Sequence, residues 1–275
     1  MKASSRVALI TGCGKQNGIG GATARALAAA GVIAVVSDLQ AKGVPNAEDL
    51  PSDFDPSWNG LESHVSQITA SGGTASWVQC DVTSEESVAN AVDEVMKRYG
   101  RVDILVNNAG APHGRDRGEI QDVPLDAWEK MFNIHCRGTF LMSRAVIPHM
   151  RKERWGRIIS MSSANAKRGK KMRTAYAASK TAIVGFTRAL AIEVAPYGIT
   201  VNALCPGPIR TASLASSARR AATGDTAGGL EARLARIPVG REGRPEEVAA
   251  LIAFLCSDIA GFITAQPISI CGGTT

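Results

Sequence analysis

A tyrosine and a lysine four residues apart, Tyr176 and Lys180, follow a basic stretch that begins just after Ser163. Residues at this spacing project from the same face of a helix, so the phenol and the ammonium group can interact. A nearby positive charge lowers the pKa of a tyrosine from about 10 by roughly 1–3 units. The Ser163 hydroxyl could then hold a substrate oxygen that Tyr176 protonates or deprotonates. A solvated helix face can carry the same pair, so this chemistry requires a redox cofactor site elsewhere in the chain.

The composition is that of an ordinary folded protein. The chain has 275 residues, of which 45% are hydrophobic and 20% charged, with a net charge of +6. The aromatic share of 5% argues against a stacking platform for single-stranded nucleic acid. The six cysteines are scattered without the spacing of metal ligands, so we expect reduced thiols and no metal site. No secretion signal or membrane-spanning run is recognisable, and we expect a cytoplasmic protein with no membrane or nucleic-acid partner.

A glycine-rich turn follows the first apolar run. Residues 7–10 are predicted to form a buried strand, Gly12, Gly18 and Gly20 follow, and residues 22–30 have helix-forming composition. This order of strand, glycine turn and helix directs backbone N–H groups and a helix N-terminus at a diphosphate. A plain tight turn is the alternative interpretation, but the turn has the context that a dinucleotide site requires.

The acidic residue Asp38 follows the second predicted strand, residues 32–36, about 20 residues beyond the glycines. A carboxylate at this position accepts hydrogen bonds from the ribose hydroxyls and repels a 2′-phosphate. Asp38 therefore favours NAD(H) over NADP(H), whereas Lys15 within the glycine turn argues the other way. Residues 39–59 contain three prolines, which exclude a continuous helix and predict a surface insertion.

Strand and helix patterns alternate along the rest of the chain. This alternation predicts a doubly wound (Rossmann) α/β fold, with a parallel sheet of about seven strands and helices on both faces, over residues 1–275 as a single domain. Ligands bind such a sheet at the carboxyl ends of its strands. Residues 212–237 are rich in Ala, Ser and Arg and are predicted to form a substrate lid. The remaining predicted strands are 75–79, 102–106, 157–161, 199–204 and 267–270, and the remaining helices are 61–70, 84–100, 124–150, 174–195 and 245–256.

The ordered motifs resemble those of the short-chain dehydrogenase/reductase family over about residues 5–273. The separation of 13 positions between Ser163 and Tyr176 is similar to the family's usual gap and selects Ser163 over Ser162. The matching motifs are Thr11-Gly12…Gly18-Ile19-Gly20, Asp81-Val82, Asn107-Asn108-Ala109-Gly110, Asn133, Ser163, Tyr176-x-x-x-Lys180 and Asn202-Ala203…Pro206-Gly207-x-x-x-Thr211.

The resemblance implies a catalytic tetrad of Asn133, Ser163, Tyr176 and Lys180. Tyr176 would act as general base in oxidation and as general acid in reduction, and Ser163 would orient the substrate oxygen. Lys180 would lower the pKa of Tyr176 and hold the nicotinamide ribose, and Asn133 would position a water in a proton relay. The expected cofactor contacts are Gly12, Asn17, Gly18, Ile19, Gly20, Asp38, Leu39, Asp81, Val82, Asn108, Ala109, Gly110, Tyr176, Lys180, Pro206, Gly207, Ile209 and Thr211.

Four features depart from the family pattern, among them Thr264-Ala265 in place of Thr-Gly and the insertion over residues 39–59. Five residues separate Gly12 from Gly18 where the ordinary pattern has three, which leaves the phosphate contacts of the turn open. Cys271 stands where the family usually has an aspartate. The family commonly forms homotetramers through two long helices, here at about 125–150 and 174–195.

Basic residues crowd the stretch between Ser163 and Tyr176. They are either solvated charges on loops or an electropositive mouth that attracts an anionic carboxylate, phosphate or acyl thioester. Lys167, Arg168 and His113 are the candidate substrate contacts. The predicted function is hydride transfer between NAD(H) and a secondary alcohol or ketone, that is, an alcohol dehydrogenase or ketoreductase acting on CH–OH donors. The alternatives are an NADP(H)-dependent 3-oxoacyl-thioester reductase and a catalytically silent dinucleotide-binding protein.

Overall fold

A computed structural model describes residues 5–44, 55–112, 114–212, 214 and 234–275. Its centre is a sheet of seven strands in the order β3-β2-β1-β4-β5-β6-β7, and each pair of neighbours runs parallel. The doubly wound fold predicted from the sequence is confirmed. The strands are β1 Val7–Thr11, β2 Ile33–Asp38, β3 Ala75–Gln79, β4 Ile104–Asn107, β5 Gly156–Met161, β6 Ile199–Pro206 and β7 Pro267–Ile270.

Helices cover both faces of this sheet, because successive strand residues point to opposite faces. In β1, Val7 and Leu9 belong to one apolar cluster, and Ala8 and Ile10 belong to the other. The helices are α1 Ile19–Ala29, α2 Leu61–Ala70, α3 Glu85–Tyr99, α4 Leu125–Phe132, α5 Gly138–Glu153, α6 Asn165–Arg168, α7 Thr174–Val194 and α8 Pro245–Leu255. No helix within the described ranges is both long and apolar enough to cross a membrane.

The helix predicted over residues 124–150 contains a π-helical turn that the sequence pattern did not indicate. Helix α4 ends at Phe132, the π turn spans Asn133–Arg137, and α5 continues from Gly138. A π turn contains more residues than an α turn, so it changes which side chains face the sheet. Such turns occur frequently at functional sites.

The insertion predicted over residues 39–59 is not a solvated loop throughout. The indole nitrogen of Trp58 donates a hydrogen bond to the Gly14 carbonyl at 3.3 Å. Gly43 lies against Gly14 so closely that a Cβ on Gly14 would be 2.2 Å from the Gly43 Cα. The two ends of the insertion therefore pack on the glycine turn, and residues 45–54 lie outside the described residues. Most of the lid predicted over 212–237 also lies outside them.

Candidate active site

One cleft of about 810 Å³ opens at the carboxyl ends of the strands. Gly12 after β1, Asp38 at the end of β2, Asn108 after β4, Ser163 after β5 and Gly207 after β6 all line it. This is where doubly wound sheets bind ligands, because the chain diverges there to opposite faces of the sheet. Of the predicted cofactor contacts, every residue except Gly20 lines the cleft.

The glycine turn is packed tightly on the end of β4. Gly12 has a φ of 72°, and a Cβ there would lie 2.7 Å from the Ala109 Cα. The Asn108 amide donates hydrogen bonds of 2.9 Å to the carbonyls of Thr11 and Gly12. Gly20 is buried beneath this contact, where a Cβ would lie 2.8 Å from the Asn108 Nδ2. Gly20 does not line the cleft, and the absence of a Cβ there permits this close packing, so its predicted contact with the cofactor stays a prediction.

The start of α1 leaves room and donors for a diphosphate. Gly18 is the N-cap of this helix and supplies no side-chain capping bond, so the first backbone N–H groups need other partners. Gly18 and Ile19 both line the cleft. A glycine turn and an uncapped helix start beside a cleft of this size fit a nicotinamide dinucleotide.

Asp38 is held in a fixed orientation at the end of β2. Its carboxylate accepts hydrogen bonds from the backbone N–H groups of Gly14 at 2.7 Å and of Leu39 at 2.8 Å. Burial raises the pKa of this carboxyl above its ordinary value, and the backbone donors Gly14, Leu39 and Gln40 and the charge of Lys15 act in the opposite direction. Asp38 therefore presents a preorganised acceptor to whatever occupies the β2 side of the cleft.

Ser163 and Tyr176 meet where β5 ends and α7 begins. The Ser163 Oγ accepts a hydrogen bond from the Asn165 N–H at 3.1 Å, and the hydroxyl also bonds the Tyr176 phenol. Burial raises the pKa of this phenol, whereas the bond to Ser163 and the positive charges of Arg173 and Arg117 lower it. A hydroxyl and a phenol in contact inside a cleft can together hold one substrate oxygen.

Lys180 lies on the same face of α7 as Tyr176, about one turn further along the helix. Its Nζ lies 6.0 Å from the centre of the Tyr176 ring and donates a hydrogen bond of 2.7 Å to the Met161 carbonyl. Burial lowers the pKa of Lys180 from 10.5 to about 8. Two positive charges that the sequence argument did not consider, those of Arg173 and Arg117, lower the pKa of Tyr176.

The comparisons with known proteins agree with this geometry. A short-chain dehydrogenase/reductase model described as Enoyl-(Acyl carrier protein) reductase matches residues 55–275. The chain belongs to the short-chain dehydrogenase/reductase family. A relative assigned as a ketoacyl reductase of the monensin polyketide synthase of Streptomyces virginiae is 40% identical over 99% of this chain and 98% of its own. The 3-oxoacyl-[acyl-carrier-protein] reductase of Thermotoga maritima is 35% identical over 99% of both chains.

A solved member of the family has the same fold. The structure of an actinorhodin polyketide ketoreductase variant with NADPH matches with a TM-score of 0.86 and 33% identity, over 100% of this chain and 99% of the other. This short-chain dehydrogenase/reductase is therefore an oxidoreductase that acts on a secondary alcohol or ketone and uses a nicotinamide dinucleotide.

Asn133, which the resemblance placed in the tetrad, does not join the other three residues. Its side chain is exposed on the π turn and does not line the cleft. His135, two positions later, is buried, lines the cleft and lies edge-on against the Tyr176 ring, with ring centres 5.8 Å apart. The sequence contained one signal for His135, since it follows the buried Met131 by four residues on the same helical face.

The predicted substrate contacts are in three different situations. Lys167 does not line the cleft, because its Nζ donates to the Pro267 carbonyl at 2.6 Å and to the Ser269 Oγ at 2.9 Å on β7. Arg168 lines the cleft and donates to the Thr274 carbonyl at 2.6 Å. His113 lies outside the described residues. Other basic side chains of the same region line the cleft, namely Arg117, Lys170, Arg173 and Arg236.

Proposed function

We propose that this enzyme transfers hydride between NAD(H) and an anionic secondary alcohol or ketone, with Ser163, Tyr176 and Lys180 as its catalytic residues. The observation that carries the proposal is the separation of charge along the cleft. Basic side chains surround the Ser163–Tyr176 pair, and a carboxylate is fixed at the opposite end of the cleft.

In this proposal, Ser163 and Tyr176 bind the substrate oxygen, and Tyr176 transfers the proton. The bound nicotinamide supplies or accepts the hydride at the substrate carbon. The Asn165 N–H holds the Ser163 Oγ in place, and the Ser163 hydroxyl that bonds the Tyr176 phenol would donate instead to a substrate oxygen bound between the two. In reduction, Tyr176 gives its phenolic proton to that oxygen, and in oxidation the phenolate takes the proton back. Arg173 and Arg117 favour the phenolate that this cycle requires.

The charges that line the cleft are segregated. Except for Lys15 in the glycine turn after β1, the basic lining side chains follow β4, β5 and β6, whereas among the described lining residues the acidic ones are Asp38 and Asp81, beside β2 and β3. Partial desolvation lowers the pKa of Lys170, and the positive charges of Arg173, Arg168, Arg117 and Arg236 lower it further. Because all four arginines lie close enough to lower the pKa of Lys170, we treat these basic residues as one cluster, whose repulsion an anionic substrate would relieve.

A comparison of a keto acid with its neutral methyl ester tests the anionic substrate. We expect the kcat/KM for the acid to fall with added salt while that for the ester stays nearly constant. Lys170→Met is expected to lower the kcat/KM for the acid by roughly 3- to 10-fold, the effect of one partly exposed charge. Arg115→Met is the matched control, since Arg115 pairs with the exposed Asp126 and does not line the cleft. An identical salt response of acid and ester would contradict the anionic substrate.

The preference for NAD(H) rests on Asp38. A 2′-phosphate beside this carboxylate would place two negative charges together, which disfavours binding by several kcal/mol, of the order of 100-fold or more in affinity. Lys15 lies close enough to act on the pKa of Asp38 and is the residue that could offset this repulsion. The actinorhodin ketoreductase was solved with NADPH, so the two cofactors must be distinguished by measurement.

The two cofactors are best compared in wild type and in two variants of Asp38. We expect wild type to favour NAD(H) over NADP(H) by roughly 100-fold in kcat/KM and Asp38→Asn to reduce this ratio at least about tenfold. Gly14 and Leu39 donate to different oxygens of Asp38, and asparagine keeps only one acceptor oxygen, so this variant removes the charge and one of the two hydrogen bonds. Asp38→Ala also removes the two acceptors and serves as the comparison. A wild type that prefers NADP(H) would overturn the proposed role of Asp38.

A 3-oxoacyl-thioester reductase dependent on NADP(H) is the second candidate. The names of the relatives support it, because both act on ketoacyl groups. A thioester carried on a phosphopantetheine arm is also anionic, so the basic cluster fits either substrate. Activity on a 3-oxoacyl thioester with NADPH that exceeds activity on free keto acids with NADH would favour this second candidate.

The proposal includes a cytoplasmic homotetramer. Its support in the structure is that Phe140 on α5 and Ile192 on α7 are exposed apolar residues, on the two helices that the family commonly uses for assembly. Sedimentation velocity showing only a monomer would contradict the tetramer.

A further inference from the structure

His135 joins three parts of the catalytic cleft. Its ring is 1% exposed at the centre of the π turn. The ring Nε2 lies 3.1 Å from the backbone nitrogen of Ala111, in the loop after β4. The ring Nδ1 lies 2.9 Å from the Oγ of Ser179 on α7, one turn beyond Tyr176. The imidazole therefore spans the cleft-lining loop and the helix that carries the proposed acid–base residue.

The partners of His135 determine where its proton lies. A backbone N–H can only donate, so the Nε2 that faces Ala111 must accept and carries no proton. The Ser179 hydroxyl donates its own proton to the Tyr176 carbonyl at 2.9 Å. The Ser179 oxygen is therefore the acceptor for the His135 Nδ1–H. One directed chain of hydrogen bonds results, from the Ala111 N–H through His135 and Ser179 to the Tyr176 backbone.

We propose that His135 is a positioning residue, held as the neutral Nδ1–H tautomer, which fixes the first turn of α7 and thereby the direction of the Tyr176 phenol. Both ring nitrogens are committed to partners, so the imidazole does not exchange a proton with the substrate. Its edge-on contact with the Tyr176 ring restricts the movement of that ring. Asn133, although on the same turn, is exposed and makes neither contact.

The role proposed for His135 determines the position of a proton donor, the Tyr176 phenol. A displacement of about 1 Å at a reacting group lowers a rate by roughly 100-fold. Loss of the hydrogen-bond chain through His135 should therefore lower kcat. The KM for the cofactor should stay nearly constant, because Asp38 and the glycine turn are unaffected. A residue that merely supported folding would instead lower stability without this division between the two kinetic constants.

Three variants test this chain of hydrogen bonds by removing different parts of it. His135→Asn places an amide where Nδ1 was and keeps the bond to Ser179, whereas His135→Leu removes both bonds. Ser179→Ala removes the same chain from its other end. We expect His135→Leu and Ser179→Ala each to lower kcat roughly 10- to 100-fold, with the double variant no slower than either single one. His135→Asn should retain kcat within about threefold of wild type, since the link to α7 remains.

Nitrogen NMR of the imidazole in wild type provides a readout that needs no variant. A protonated Nδ1 and an unprotonated Nε2 support the proposal, and the reverse tautomer or an imidazolium overturns it. Wild-type kcat in a folded His135→Leu also overturns it. The inference rests on proton transfer by Tyr176, but the tautomer is independent of substrate and cofactor. Failure of the proposed function would leave the NMR result intact, so the two failures are distinguishable.

Discussion

Tyr176→Phe is expected to lower kcat by roughly 10²- to 10⁴-fold, because the variant loses the group that transfers a proton to or from the substrate oxygen. The phenylalanine ring still fills the space against His135, so the cleft keeps its shape. Cofactor binding should therefore change by less than about threefold, and the loss should be confined to turnover. Absorbance of the reduced nicotinamide measures turnover, and its fluorescence on titration measures binding.

Tyr99→Phe is the matched control for this experiment. The Tyr99 hydroxyl donates to the Ser76 Oγ at 2.9 Å, so the variant also loses one tyrosine hydrogen bond, but the residue does not line the cleft. We expect Tyr99→Phe to have wild-type kcat. Unchanged turnover in Tyr176→Phe would remove Tyr176 from the mechanism. Cofactor binding by a wild type that turns over no alcohol or ketone would support the catalytically silent alternative.

The strands, the turn between β1 and α1 and the Ser163–Tyr176 contact were predictable because each depends on a local pattern. Short apolar runs bounded by glycine or polar residues mark buried strands, and parallel strands bring their carboxyl ends to one edge. The structure has α2 and β3 at the predicted bounds and ends α7 one residue before the prediction. The contact of Ser163 with Tyr176 follows from this arrangement, because Ser163 lies just after β5 and Tyr176 lies in the first turn of α7.

The sequence pattern could not predict in the same way that His135, and not Asn133, lines the cleft. A regular helix over residues 124–150 has no feature that locates a π turn, and one extra residue in a turn changes every face beyond it. The orientation of the Lys167 side chain could not be predicted either, because its hydrogen-bond partners on β7 lie about 100 residues away in the chain. Both errors concern side-chain direction, which depends on contacts between distant segments.

The electrostatics of the cleft also required the folded structure. The sequence places Lys180 four residues from Tyr176, which suggests direct stabilisation of the phenolate. In the fold, Lys180 is buried and bonded to the Met161 carbonyl. The charges of Arg173 and Arg117 lower the pKa of Tyr176, and that of Asp116 raises it. A buried ammonium group with one carbonyl partner has lost most of its hydration, and the lowered pKa of Lys180 is the consequence.

Lys180→Met is expected to inactivate the enzyme and stabilise its fold. Lowering the pKa from 10.5 to about 8 corresponds to about 3 kcal/mol of unfavourable burial of the charge at neutral pH. The variant leaves the Met161 carbonyl without its donor, which offsets about 1–3 kcal/mol of this gain. We therefore expect a net increase of up to about 2 kcal/mol in the free energy of unfolding at about pH 7, together with a fall in kcat of roughly 100-fold or more.

The pH dependence separates this electrostatic gain from better packing. Below about pH 8 Lys180 is charged in both the folded and the unfolded wild type, so the full penalty is present. Between about pH 8 and 10.5 the unfolded chain binds more protons than the folded one, and wild-type stability rises with pH. The advantage of Lys180→Met in urea unfolding should therefore shrink over this range, whereas the exposed control Lys97→Met should differ little from wild type at any pH. An advantage that is independent of pH would show that Lys180 carries no such penalty. Inactivity of the stabilised variant would then show that this buried ammonium is retained for catalysis at the expense of stability.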